Sequence, residues 1–340
     1  MKQTLFAFLL ISVLGMASCR KDNLQITIKQ YDQQQMQSYI AAHGLTAMQR
    51  DTIGGDTTGI YYQILNPGTQ SINGVPVTPL DYPSEIAFVY TERSFDGTYI
   101  LPDTIANHYY DYVGHIYANH YPLGVQTAIH NLLKYPDASM RVLIPSHLAY
   151  GRNGTGSGSS QVANNRIAGN ACLDFYIHAV NNFQVYDDMV IQNYMKANNL
   201  TGYTADTLAA PLPLNPLVYW VGKNGNPPTT DFSAIYYYKI LTPATSTNPI
   251  TANSTITATY TGSLFNGTLF DYGYNGPNIF TGNPGTFVAG VQDALIKHAA
   301  AGTKISMLIP SSLGYQLPAQ STIPAFSCLR FTWQLLTVTP

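Results

Sequence analysis

Charge is scarce in this chain. Asp, Glu, Lys and Arg make up 10% of its 340 residues, against about 25% in an average soluble protein. With 16 Lys+Arg, 18 Asp+Glu and a net charge of −2, it has no basic footprint for nucleic acid. Cysteine is nearly missing, with three in all, and no long apolar run follows the first twenty residues. These shortages exclude a nucleic-acid binder, a coiled coil and a polytopic membrane protein. What the chain does have is 45% hydrophobic residues, 12% aromatics, 26 Tyr, 27 Gly and 21 Pro. That mixture buries real cores and favours strands and turns over long charged helices. The length suits roughly two domains of about 100–200 residues each.

The N-terminus reads as an address. Lys2 precedes an apolar run from Leu5 to Gly15, followed by Met16-Ala17-Ser18-Cys19. A short basic region, an apolar stretch too short to span a bilayer and small residues before a cut describe an export signal. Cys19 directly after two small residues resembles a bacterial lipobox, which implies lipidation of Cys19 and a tether at the membrane. We expect residues 1–18 to be removed and the rest to be soluble. The remaining cysteines, Cys172 and Cys328, fall at matching places in two repeats and are expected to be buried free thiols.

The repeat is the most informative feature. Tyr31-Asp32 and Met36-Gln37-Ser38-Tyr39 recur as Tyr186-Asp187 and Ile191-Gln192-Asn193-Tyr194. Tyr90-Thr91 with Phe95-Asp96-Gly97-Thr98 returns as Tyr260-Thr261 with Phe265-Asn266-Gly267-Thr268. Gly124-Val125-Gln126 pairs with Gly290-Val291-Gln292, Ile144-Pro145-Ser146 with Ile309-Pro310-Ser311, and Cys172-Leu173 with Cys328-Leu329. The order is kept throughout. The units far exceed solenoid repeats of roughly 20–45 residues, so they read as tandem domains over 19–185 and 186–340. Gly151–Arg166 reads as a Gly/Ser/Asn-rich loop of repeat one, and Leu208–Thr230, with Trp220, as a Pro-rich insertion in repeat two.

Within a unit, Thr255 to Thr261 alternates as a half-buried strand, and Leu329, Phe331, Trp333 and Leu335 do the same. Lys304 to Ile309 predicts another strand, stopped by Pro310. Val291, Ala294, Leu295 and His298 recur at helical spacing. Gln34 to His43 and Met189 to Asn199 predict leading helices, with Asp187-Asp188 at a helix start, where carboxylates favour the dipole. Antiparallel strands with one short packed helix make an α+β unit.

These residues carry a resemblance. Tyr260-Thr261-Gly262, Asn266-Gly267, Phe270-Asp271, Val288 to Val291, Ile309-Pro310-Ser311-Ser312-Leu313-Gly314-Tyr315 and Ile323-Pro324 to Phe331 together resemble the FKBP-type peptidyl-prolyl cis-trans isomerases. The resemblance implies an antiparallel sheet wrapped around a short helix and rotation of Xaa-Pro bonds, with no cofactor or metal. It further implies that Tyr260, Phe270, Val288, Val291 and Phe331 line a proline pocket with Ile323 at its rim, and Ile279 or Phe280 in a further wall position. By the same resemblance Asp271 pairs with the Tyr260 hydroxyl and faces the twisting carbonyl, while Tyr315 and the Val288 N–H donate to the substrate. The family places tryptophan on the pocket floor where this chain has Val291, an expected loss of apolar contact. Repeat one departs further: Ile100 and Leu101 replace Phe270 and Asp271, and Pro122, which has no N–H, replaces Val288. It is expected to be a binding or structural copy.

The implied partners are Xaa-Pro polypeptides and, through Cys19, the membrane of a Gram-negative cell envelope. A noncatalytic chaperone and a glycan- or surface-binding lipoprotein are the alternatives. His108, His115 and His120 lack regular metal spacing, so no metal is expected. Asn153-Gly154-Thr155, Asn253-Ser254-Thr255 and Asn266-Gly267-Thr268 fit a glycosylation pattern that means little in a bacterial lipoprotein.

Overall fold

The structure, a computed structural model, describes residues 26–55, 58–72, 74–156, 166–180, 183–210, 232–273, 279–315 and 322–339. Cys19, the signal, Trp220 and part of the Gly151–Arg166 loop lie outside them.

Two antiparallel sheets of seven strands follow one plan. In repeat one, β1 (Gln49–Arg50), β2 (Tyr61–Asn66), β5 (Glu85–Ser94), β6 (Ile100–Leu101), β7 (His108–Tyr112), β8 (Ser139–Ile144) and β11 (Leu173–Ala179) form the order β1-β2-β8-β11-β5-β6, with β7 also on β5. Two small hairpins accompany it, β3 (Ser71–Ile72) with β4 (Val75–Pro76) and β9 (Thr155–Gly156) with β10 (Arg166–Ile167). In repeat two, β12 (Thr204–Ala210), β13 (Phe232–Thr242), β14 (Thr255–Leu264), β15 (Leu269–Gly273), β16 (Phe280–Gly282), β17 (Lys304–Ile309) and β18 (Leu329–Thr339) form the order β12-β13-β17-β18-β14-β15, with β16 on β14. The architecture is α+β with two like-built units. The insertion expected from Leu208 starts later, because β12 runs to Ala210 and pairs with β13 back to Phe232.

Strand alternation sends successive side chains to opposite faces, so each sheet carries a helix on either side. On β17, Ile305, Met307 and Ile309 join the cluster around the short helix Ala289–His298, while Leu308 faces Ile191 of the leading helix Phe183–Ala197. On β8, Met140, Val142 and Ile144 face the short helix Leu123–Leu132, and Leu143 faces Met36 and Tyr39 of the leading helix Ile28–Ala42. Each fully buried aliphatic side chain contributes about 1.5–3 kcal/mol of transfer free energy.

Both leading helices start earlier than their apolar spacing suggests. The first begins at Ile28 because the Thr27 hydroxyl and the Gln30 side chain close a capping box. The second begins at Phe183, which places Asp187 in its second turn and corrects the helix-start reading of that residue. Asp187 is instead a tether. It is buried and accepts from the Ser311 hydroxyl at 2.6 Å and the Ser311 N–H at 2.9 Å. Asp32 does the same in repeat one, accepting from the Ser146 hydroxyl at 2.6 Å and contacting His147 Nδ1 at 2.7 Å. Cys172 and Cys328 are buried free thiols beside these two carboxylates.

Candidate functional site

The site of repeat two lies between its sheet and the short helix Ala289–His298. Tyr260 and Gly262 on β14 stand opposite Trp333 and Phe331 on β18, so all four positions share the helix-facing side. Val291, Ile323, Phe331 and Trp333 are buried in one cluster, against which Tyr260, Phe270, Phe280, Phe287, Val288 and Tyr315 pack.

A bulge explains how two consecutive residues reach one pocket. Asp271 pairs with Gly262, but Leu269 pairs with Ser263, which leaves Phe270 as the extra residue on β15. Such an insertion re-aims side chains that would otherwise alternate between faces. The Phe270 ring thereby meets Phe331 edge-on at 5.6 Å. Gly262 makes the room: a Cβ there would come within 2.7 Å of Phe270 and 2.8 Å of Phe331. Asp271 accepts from the Tyr272 N–H at 2.8 Å and lies beside the Tyr260 hydroxyl. Burial and the neighbouring Asp271 push the Tyr260 phenol pKa up, and burial and the same charge do so for Tyr315. Both phenols are therefore fixed as donors at neutral pH. Val288 caps the short helix with an extended backbone, φ −57° and ψ 146°.

The floor differs from the expectation. Val291 is buried in the cluster, but an indole is present all the same. Trp333 is 2% exposed, stacks under Tyr260 at 4.4 Å, and lies 4.8 Å from Phe287 and 5.8 Å from Phe280. The buried indole of this cluster comes from the last strand, not from the helix. Of the two wall candidates, Phe280 is the one in contact with Tyr260, edge-on at 6.3 Å. In the sequence Trp333 reads as one inward residue of an alternating strand, and its size beside a small Val291 is the signal that sets it apart.

Repeat one builds a different pocket. Ile100 pairs with Arg93 and Leu101 with Glu92 in plain register, without the bulge. Pro122 caps its short helix. Tyr90, Tyr121, Tyr150 and Phe175 are still gathered there. Among the described residues no group of three or more His, Cys, Asp or Glu is placed to hold a metal ion. His115 instead contacts Asp111 at 3.1 Å, and His108 contacts the Ala325 carbonyl at 2.5 Å.

The arrangement is a buried apolar cluster with a tyrosine–aspartate pair, in an antiparallel sheet around a helix. Residues 246–336, within repeat two, match the family FKBP-type peptidyl-prolyl cis-trans isomerase. Among curated proteins it is similar to the FKBP-type peptidyl-prolyl cis-trans isomerase FkpA of Buchnera aphidicola subsp. Schizaphis graminum. The two are 40% identical over 88 residues, 26% of this chain and 34% of that protein. The chain thus spans about a third of that relative's length. Among solved structures, FkpA from Escherichia coli is similar at 19% identity and TM-score 0.34, over 46% of this chain and 61% of that one. The three FKBP domains of wheat FKBP73 align at 15% identity and TM-score 0.30, over 86% of this chain and 99% of that one.

Proposed function

We propose that this protein is an exported, lipid-anchored peptidyl-prolyl cis-trans isomerase whose activity resides in repeat two, spanning 186–340, while repeat one, spanning 19–185, binds polypeptide without catalysing isomerisation. The observation that carries this reading is the buried aromatic cup under the Tyr260–Asp271 pair, inside the segment that matches the isomerase family.

The chemistry needs little more than such a cup. Rotation about an amide is opposed by a barrier of about 18–20 kcal/mol from its double-bond character. Twisting the bond removes resonance and reduces charge separation, so an apolar site favours the twisted state over the planar one. The proline ring would lie on Trp333 between Tyr260, Phe270 and Phe331, with Val291 behind and Ile323 at the rim. Asp271 would face the twisting carbonyl carbon. Tyr315 and the Val288 N–H would hold the neighbouring carbonyls and orient the chain. Substrates would be Xaa-Pro segments of exported proteins during folding, and the anchor would be lipid on Cys19 in the envelope of a Gram-negative cell. Export is supported by the Lys2-to-Cys19 pattern.

A noncatalytic role for repeat one is favoured by its plain β5–β6 register and by Pro122, which together remove the Phe270, Asp271 and Val288 equivalents. The test is an isomerisation assay on the chain lacking its first 18 residues, with an Xaa-Pro tetrapeptide series. Acceleration over the uncatalysed rate, lost in Asp271→Leu, is expected. A flat trace from folded protein would leave peptide binding as the function of both repeats.

A further inference from the structure

The two pockets differ most at one position. Glu92 stands two residues after Tyr90, where repeat two has Gly262 two residues after Tyr260. In repeat two a side chain there would collide with Phe270 and Phe331. In repeat one Ile100 and Leu101 replace Phe270 and Asp271 in plain register, without the bulge, and Glu92 takes that position. Glu92 pairs with Leu101 on one side and Phe175 on the other, and as an i+2 neighbour it shares the pocket face with Tyr90.

A carboxyl in that place is costly. Glu92 is 4% exposed, and its Oε1 is buried without a hydrogen-bond partner. Burial raises its pKa to about 7, relieved in part by the Tyr150 hydroxyl, and no Lys, Arg or His among the described residues offsets that rise. Buried charges are normally paired, and each orphaned buried polar atom calls for an explanation such as a ligand. Around it stand Tyr90, Tyr99, Tyr121 and Tyr150, all half-buried and each within electrostatic reach of the carboxyl. The Tyr90 and Tyr121 rings meet at 5.5 Å and 77°, which makes two walls of a corner.

We propose that the pocket of repeat one is a binding site for a primary ammonium group, presented by a lysine side chain of an extended polypeptide. Glu92 Oε1 receives the ammonium, tyrosine hydroxyls take its remaining N–H groups, and the ring faces add cation–π attraction. The apolar lysine stem lies along Tyr90 and Leu101. A guanidinium suits the place less well, because its planar fork wants both carboxylate oxygens and Tyr150 already approaches the carboxyl. A single carboxylate among phenols is also a poor cage for a divalent metal, which takes several oxygen ligands. The site lies in repeat one, so this inference is independent of the isomerase reading of repeat two.

The test is calorimetric titration of the chain lacking residues 1–18 at pH 8 with N-acetyl-lysine-N′-methylamide and with the norleucine analogue of the same stem. The lysine compound is expected to bind at least tenfold more tightly, and Glu92→Gln to abolish the difference while still unfolding in one cooperative transition and keeping the isomerase rate. Tyr150→Phe supplies a second variant, expected to weaken lysine binding several-fold. Equal affinity for the two compounds, or undiminished lysine binding by Glu92→Gln, would overturn the proposal. Binding of n-butylammonium as tight as that of the blocked lysine would overturn its assignment to polypeptides.

Discussion

Trp333 is the residue at the centre of the candidate site of repeat two. Its indole stacks under Tyr260, touches Phe280 and Phe287, and leaves Nε1 buried without a partner. Trp333→Leu keeps an apolar residue on the strand but removes the floor. We expect proline-peptide affinity to fall at least tenfold, and stability to fall by less than the roughly 3–5 kcal/mol of a Trp→Ala truncation. Since the chain has only two tryptophans, a Trp220→Phe background makes Trp333 fluorescence a direct reporter of peptide binding. The sequence showed Val291 as a missing indole and Trp333 as one inward position among several. Joining the two requires knowing that β18 runs under Tyr260, which alternation along one strand does not encode.

Asp187 and Glu92 give a second residue-scale prediction. Burial raises both carboxyls to about 7, while an unfolded carboxyl titrates near about 4. Between those values the folded chain holds protons that the unfolded chain has released, so stability falls as pH rises through the window. Asp206, held down to about 2 mainly by its hydrogen bond from His298 against the cost of burial, acts in the opposite sense but only below about pH 4. The melting temperature is therefore expected to be higher at pH 5 than at pH 8, and the double variant Asp187→Asn, Glu92→Gln to show a smaller difference. Equal slopes in wild type and variant would contradict this origin.

At the scale of elements, the bulge in β15 and the glycine opposite it act as one device. Gly262→Ala is expected to displace Phe270 and cut the isomerase rate at least tenfold, with near-native far-UV circular dichroism. Gly290 is the matching device for the helix, since a Cβ there would come within 2.7 Å of Ile309. Gly290→Ala should cost about 1–3 kcal/mol by overpacking, read from denaturant unfolding. Strand and helix identities were legible from periodicity: β14, β17, β18 and the short helix fall where alternation and helical spacing place them. The bulge was not, because Phe270-Asp271 reads alike whether or not the ladder slips. The start of the first leading helix is not legible from apolar spacing, because a capping box sets it.

The whole molecule is two copies of one plan joined by a seam. The order of matched segments made the tandem visible in the sequence. The seam was invisible, because it joins positions that no local pattern relates. Phe326 packs edge-on against Tyr110 at 5.2 Å in a cluster with Ala87, Val89 and Val180. His108 contacts the Ala325 carbonyl at 2.5 Å, and Ile105 and Ala106 lie against the core of repeat two. Burial keeps His108 neutral by lowering its pKa. These contacts grip the segment that carries Ile323. We expect Tyr110→Ala to raise KM for proline peptides several-fold in a steady-state assay, although Tyr110 is not in the pocket.

That grip decides where an entropic cost falls. Holding one residue in a single backbone conformation costs roughly 1–2 kcal/mol, and a free rim would incur it each time a peptide docks. On the proposed reading, the contacts of Ala325 and Phe326 with repeat one order the stretch beside Ile323 during folding, so a docking chain would meet a finished surface. Calorimetry should show this as a more unfavourable binding entropy once the grip is loosened.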